Sequence, residues 1–186
     1  MLFRSEEYIE TDQNIVEKSI LHSLLAELYQ MYFNTQQYKI NRRTPITGYV
    51  PRNMAEWTGN IYREKIFQHA LDAVKARPQL SEVNCLTYKE ILVLGKNSPA
   101  LRPTMYDFLV YRSIDILNTI SRYNKQEPIT NKQLLFAPVK EFVQMPIEVK
   151  KMDAYSNTLK LYQSLLQSEI AAERTDAILI SDLDRL

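Results

Sequence analysis

The feature that most constrains this chain is its set of long apolar stripes at helical spacing. Ile20, Leu21, Leu24, Leu25, Leu28, Tyr29 and Tyr32 recur every three or four residues. That pattern puts one broad apolar face on a helix expected over Gln13 to Phe33. A second stripe, Tyr62, Ile66, Phe67, Ala70, Leu71 and Val74, predicts a helix from about Thr58 to Ala76, ended by Pro78. Trp57 sits just before it, placed to staple the entering chain to the core. A third helix opens at Pro103 and carries Met105, Tyr106, Leu109, Val110, Ile114, Leu117 and Ile120. Its apolar residues occupy more than one face, which marks it as the central helix. Arg112 and Asp115, three apart, are expected to pair on its surface.

Connectors separate these stripes. Asn41-Arg42-Arg43-Thr44-Pro45, Gly48 and Pro51 break the first pattern. Ser81 to Leu94 reads as a short helix ending in either a last turn or a short extended run at Ile91–Leu94. Pro128, Pro138 and Pro146 forbid a long helix from Glu127 to Lys151. Phe136, Phe142, Val143 and Met145 there suggest an extended strap lying over the helices. Asp153 is an N-cap candidate for a fourth helix with the stripe Tyr155, Leu159, Tyr162, Leu165, Leu166 and Ile170. A last amphipathic segment runs from Asp176 to Leu186. Strands alternating with helices are missing, which argues against an α/β sheet. The expected fold is all-α, a single helical domain over residues 1–186, built as an irregular antiparallel array. Tetratricopeptide-like helix pairs are one form it could take, although no clean 34-residue period occurs.

Composition removes several function classes. The 186 residues hold 23 Lys+Arg against 22 Asp+Glu, a net charge of +1, so there is no concentrated positive charge for nucleic acid. One cysteine excludes an internal disulfide and a thiolate-rich metal site. Three glycines leave little for a Gly-rich phosphate cradle. Leu94-Gly95-Lys96-Asn97-Ser98 fails as one, since Glu90 stands where the upstream Gly belongs and Pro99 interrupts any following helix. No apolar run approaches the roughly 20 residues that span a bilayer. Glu6 and Glu7 interrupt any secretory apolar run near Met1. Both ends read as cut from a longer chain.

Few residues suggest chemistry. His22 and His69 lack partners at metal or acid–base spacing, and each reads as a helix-face residue. Cys85 has no base nearby and reads as a buried thiol. The most basic local patch, Arg42-Arg43 with Arg52 and with Tyr38 and Tyr49 interleaved, is the candidate interaction surface. Of the twelve tyrosines, Tyr29, Tyr32, Tyr106, Tyr111, Tyr155 and Tyr162 lie on or beside the stripes. They serve either as core-edge aromatics or as the lining of a groove. Neither a catalytic residue, a cofactor, a metal nor a small-molecule substrate is inferred.

Several segments, in order, resemble one family. Leu21-His22-Ser23-Leu24-Leu25-Ala26-Glu27-Leu28-Tyr29 is followed by Arg43-Thr44 and Trp57-Thr58. Then come Leu101-Arg102-Pro103-Thr104-Met105-Tyr106-Asp107-Phe108-Leu109 and Phe136-Ala137-Pro138. Leu161-Tyr162-Gln163-Ser164-Leu165-Leu166 and Asp182-Leu183-Asp184-Arg185-Leu186 close the series. From Ile15 to Leu186 the chain resembles the N-terminal helical region of the large alpha-2-macroglobulin-like proteins of Bacteroidetes. The resemblance implies an envelope-associated parent with β-sandwich domains downstream, of a kind that traps or inhibits proteases. The thioester signature, Cys followed by Gly-Glu-Gln, is absent, because Cys85 precedes Leu86-Thr87-Tyr88. No functional residue of the family therefore transfers.

Two readings follow. The first is a non-catalytic scaffold or docking segment that meets other domains of its parent chain or a protein partner. The alternative is a stand-alone helical-repeat adaptor binding a peptide in a Tyr-lined groove. A third, an enzyme with His22 or His69 as base, requires those rings to converge with carboxylates in a cleft.

Overall fold

The structure, a computed structural model, describes residues 2–11, 14–121, 136–149 and 152–186. Helix α1 is Leu2–Thr11, α2 Ile15–Ile40, α3 Gly59–Asp72 and α4 Arg77–Glu82. Then follow α5 Ser98–Leu101, α6 Met105–Ser121, α7 Val139–Phe142, α8 Ala154–Ala171 and α9 Thr175–Arg185. Two 3-10 turns, Met54–Glu56 and Cys85–Tyr88, sit in the connectors. Among the described residues the only β pairing is a single antiparallel bridge between Asn84 and Thr104. The fold is all-α, as the stripes predict.

Side-chain caps set the starts of three of the longer helices, α2, α6 and α8. Asn14 accepts from the amides of Val16 and Glu17, and Asp153 from those of Tyr155 and Ser156. Each satisfies donors that the first turn leaves unpaired. At α6, Thr104 and Asp107 exchange side-chain-to-backbone bonds of 3.1 and 3.2 Å, a reciprocal capping box.

Several boundaries differ from expectation. The expected start at Gln13 lies outside the described residues. The first helix continues past Phe33 to Ile40, because Ile40 is fully buried and anchors another turn. Pro78 does not end the second helix. That helix stops at Asp72, and Pro78 sits in the first turn of α4, where its missing N–H is not needed. Ile91 and Val93 are exposed, at 66% and 97%, so this stretch is a surface connector and not the end of a helix. Residues 127–135 and 150–151 of the expected strap lie outside the described residues. The remainder lies over the helices, with one helical turn at α7. Gln163 of α8 donates to the carbonyls of Phe142 and Met145 at 2.6 and 2.8 Å. Phe142 is fully buried, beneath the Arg185 guanidinium.

The helices pack as a succession. α2 lies along α3, both meet α6, α6 meets α8, and α8 meets α9. One continuous core runs through them, from Leu25, Tyr29 and Tyr62 to Leu109, Leu117 and Leu165. The α2 stripe is rotated from its expected position. Val16, Ile20, Leu25, Ala26, Tyr29 and Phe33 face inward, whereas Leu24 and Leu28 stay almost half exposed. Arg112 does not pair with Asp115. It reaches across to α2, donating to Glu27 at 2.5 Å and to Ser23 at 2.9 Å.

Candidate functional site

The most chemically unusual group lies where α1, α2 and α3 meet. His22 of α2 and His69 of α3 face each other with Nδ1 atoms 2.8 Å apart. Glu6 of α1 closes on the same place, accepting from Tyr29 at 3.0 Å and Lys65 at 3.1 Å, with His69 Nε2 at 3.7 Å. Burial disfavours the Glu6 charge, but the Lys65 ammonium and the Tyr29 hydroxyl outweigh it and hold its carboxyl below the usual range. Burial, the neighbouring His22 and Lys65 push His69 down to about 4. Burial also lowers His22; Asp72 opposes this, and Lys18 and Lys75 add to it. Both rings are therefore neutral at pH 7, sharing one proton between the two Nδ1 atoms.

The ionised Glu6 favours the His69 tautomer with its proton on Nε2. His69 Nδ1 then accepts and His22 Nδ1 donates, leaving the His22 Nε2 lone pair without a partner among the described residues. His22 lines an open cleft of about 520 Å³ together with Ile15, Lys18, Ser19, Asp72, Lys75 and Gln79. The two imidazoles stand 47 residues apart in sequence, and only the α2–α3 pairing joins them. No local spacing could have revealed the pair, and the reading of each as a solitary helix-face residue is corrected here. Among the described residues no group of His, Cys, Asp or Glu is arranged to hold a metal ion.

The basic patch does not gather into one site. Arg42 stacks on Tyr38 and donates to its hydroxyl, and both are exposed. Arg43 turns away, donating to the Trp57 carbonyl at 2.6 Å. Tyr49 and Arg52 lie exposed on the following loop, with Gly48 in the left-handed region at φ +74°. Cys85 is buried, its thiol pushed up to about 11 by burial and by Asp107. Four of the stripe tyrosines are core residues: Tyr29, Tyr106, Tyr111 and Tyr162 are buried, and each hydroxyl has an internal partner.

A second buried cluster ties α6, α8 and α9 together. Arg174 grips Asp107 bidentately at 2.6 and 2.9 Å. Tyr111, Ser181 and Glu169 form a chain with distances of 2.6 and 2.8 Å. Glu169 is fully buried and its Oε2 has no hydrogen-bond partner. Burial pushes its carboxyl up to about 7, against the opposing effects of Ser181 and Arg174.

Apolar side chains also reach solvent in ordered rows. Leu179, Leu183 and Leu186 follow one another at four- and three-residue steps along α9 and its end, at 60%, 61% and 60% exposure. On the opposite side Ala177, Ser181 and Arg185 are buried. On α2, Leu24, Leu28 and Met31 make a similar row.

No known protein family, no curated protein and no solved structure matches the chain. Among the described residues, no helix is long and apolar enough to cross a membrane.

Proposed function

We propose that the chain is a non-catalytic helical docking segment of a macroglobulin-like envelope protein. The observation that carries this reading is the Leu179, Leu183 and Leu186 row on α9, whose reverse side is already packed. Covering three half-exposed leucines is worth about 1–2 kcal/mol each, and ordered apolar rows of this kind mark contact surfaces. Exposed Glu173, Asp176 and Asp184 lie beside the row. Its complement is an apolar groove rimmed by Lys or Arg. The resemblance of the LHSLLAELY and LRPTMYDFL segments to macroglobulin-like leaders makes another domain of the same parent the favoured partner. The rival adaptor with a Tyr-lined groove is weakened, because four of the stripe tyrosines are spent inside the core. An enzyme is the least favoured reading.

The test begins with the coding sequence on either side of these 186 codons. A frame that runs on into β-sandwich domains, behind an upstream secretion signal, supports the reading. A frame confined to the 186 codons sinks the envelope assignment. Where the frame continues, the segment and the remainder are expressed separately. Leu183→Asp should weaken their association at least about tenfold and leave the segment's own thermal midpoint unchanged. Association that ignores the substitution refutes the docking face.

A further inference from the structure

We propose that the cleft between α2 and the α3–α4 corner binds an oxyanion, a phosphoryl or carboxylate group, and takes up a proton on His22 as it does so.

The cleft's volume, about 520 Å³, falls within the range of small-ligand sites. Among the described residues its lining holds two lysines, Lys18 and Lys75, and one carboxylate, Asp72. Neither lysine has an ion-pair partner among the described residues, so their charge is available to a ligand. Asp72 is partly occupied, since Gln68 donates to its Oδ2 at 3.0 Å. Ser19 is 3% exposed and its hydroxyl has no hydrogen-bond partner among the described residues. Gln79 adds an amide at the rim. An oxyanion at this open cleft has two cations and two neutral donors in the lining, partners for charge-assisted hydrogen bonds.

His22 supplies the coupling. In its neutral form Nε2 carries a lone pair, which repels an oxyanion. Protonated, it presents an N–H donor while Nδ1–H still donates to His69. The groups that act on this ring are Lys18 from α2, His69 and Asp72 from α3, and Lys75 beyond it, with Glu6 and Lys65 behind His69. The lysines oppose protonation of His22, and a bound anion cancels their effect. Anion affinity and proton affinity therefore rise together.

The probe is inorganic sulfate, whose charge is constant across the range. Calorimetry and 15N NMR of the histidines, on the intact chain, are run at pH 5.5 and 7.5 with ionic strength matched by sodium chloride. Saturable one-site binding, about tenfold tighter at the lower pH, with shifts of the His22 resonances, is expected. Lys18→Ala with Lys75→Ala should weaken it at least about tenfold; Lys18 is half-buried on α2 and Lys75 is exposed in the α3–α4 turn, and neither belongs to the core. His22→Gln should leave binding and remove the pH dependence. Sulfate acting no differently from chloride, a double lysine variant that binds as tightly, or pH dependence that survives His22→Gln each overturns the proposal. Parallel titrations with phosphate and acetate, by their relative affinity, assign the site to phosphoryl or carboxylate ligands.

Discussion

Glu169→Gln should change how stability depends on pH, and the size of the change follows from burial. The Glu169 side chain is fully enclosed, with Oε1 accepting from Ser181 and Oε2 unpaired. Raising a carboxyl from its ordinary 4.5 to about 7 corresponds to about 3 kcal/mol, at about 1.4 kcal/mol per pH decade. The folded chain binds this proton more tightly than the unfolded chain does. Its stabilising contribution is therefore complete below about pH 4.5 and lost as the pH climbs through 7. Between pH 5 and 8 the loss is about 2.5 kcal/mol. His22 and His69 titrate with the opposite sign. Their folded values are lowered, so they add stability as the pH rises toward about 6.5. The wild-type profile alone would mix the two effects. The difference between Glu169→Gln and wild type isolates the carboxyl, since the histidines are unchanged. Urea unfolding at pH 5, 6, 7 and 8 measures it. The variant should gain about 2.5 kcal/mol on wild type across that range, about 1 M in midpoint at a slope of roughly 2 kcal/mol per M. A difference flat to within about 0.5 kcal/mol would refute the reasoning, because it would mean that Glu169 ionises as freely folded as unfolded.

Other substitutions probe the frame. Asp107→Asn leaves the Arg174 guanidinium without its carboxylate and should cost about 3–5 kcal/mol, read by the same urea series; a loss under about 1 kcal/mol would show the pair to be solvated. Leu109→Ala and Leu165→Ala each empty a fully enclosed site between α6 and α8 and should cost about 2–5 kcal/mol. A cost near zero at both would remove α6 from the centre. In an NMR titration His69 should stay neutral down to about pH 4, and a midpoint above 6 would mean that water reaches the pair.

Helix identity was readable along this chain, whereas helix faces and the polar contacts between helices were not. Periodicity finds α2, α3, α6 and α8, and Asp153 marks the start of α8, because these are local properties of spacing and capping. It misassigns Leu24 and Leu28, since α2 is apolar over so wide an arc that only the placing of α1 and α3 decides which residues face inward. Helix α1 escaped notice because Glu6 and Glu7 read only as a break in an apolar run, yet Glu6 is the carboxylate beside His69. Pro78 could equally end one helix or begin another, and spacing alone does not decide. The His22–His69 contact, the Arg112–Glu27 bridge and the Asp107–Arg174 pair each join residues 47 to 85 positions apart. Such pairs exist only once the helices have chosen their neighbours.

The Asp107–Arg174 pair bears on more than stability. Arg174 is the residue from which α9 departs, and it follows Glu173, held in the left-handed region at φ 55° as the chain leaves α8. Its two bonds to the capping carboxylate of α6 fasten the corner to the middle of the molecule. The leucine row therefore projects from a braced strut and not from a swinging arm. A partner meeting it need not first quench any motion of α9, so little ordering entropy is lost on contact. Loosening the brace by Asp107→Asn would then slow recognition by a partner that never touches residue 107.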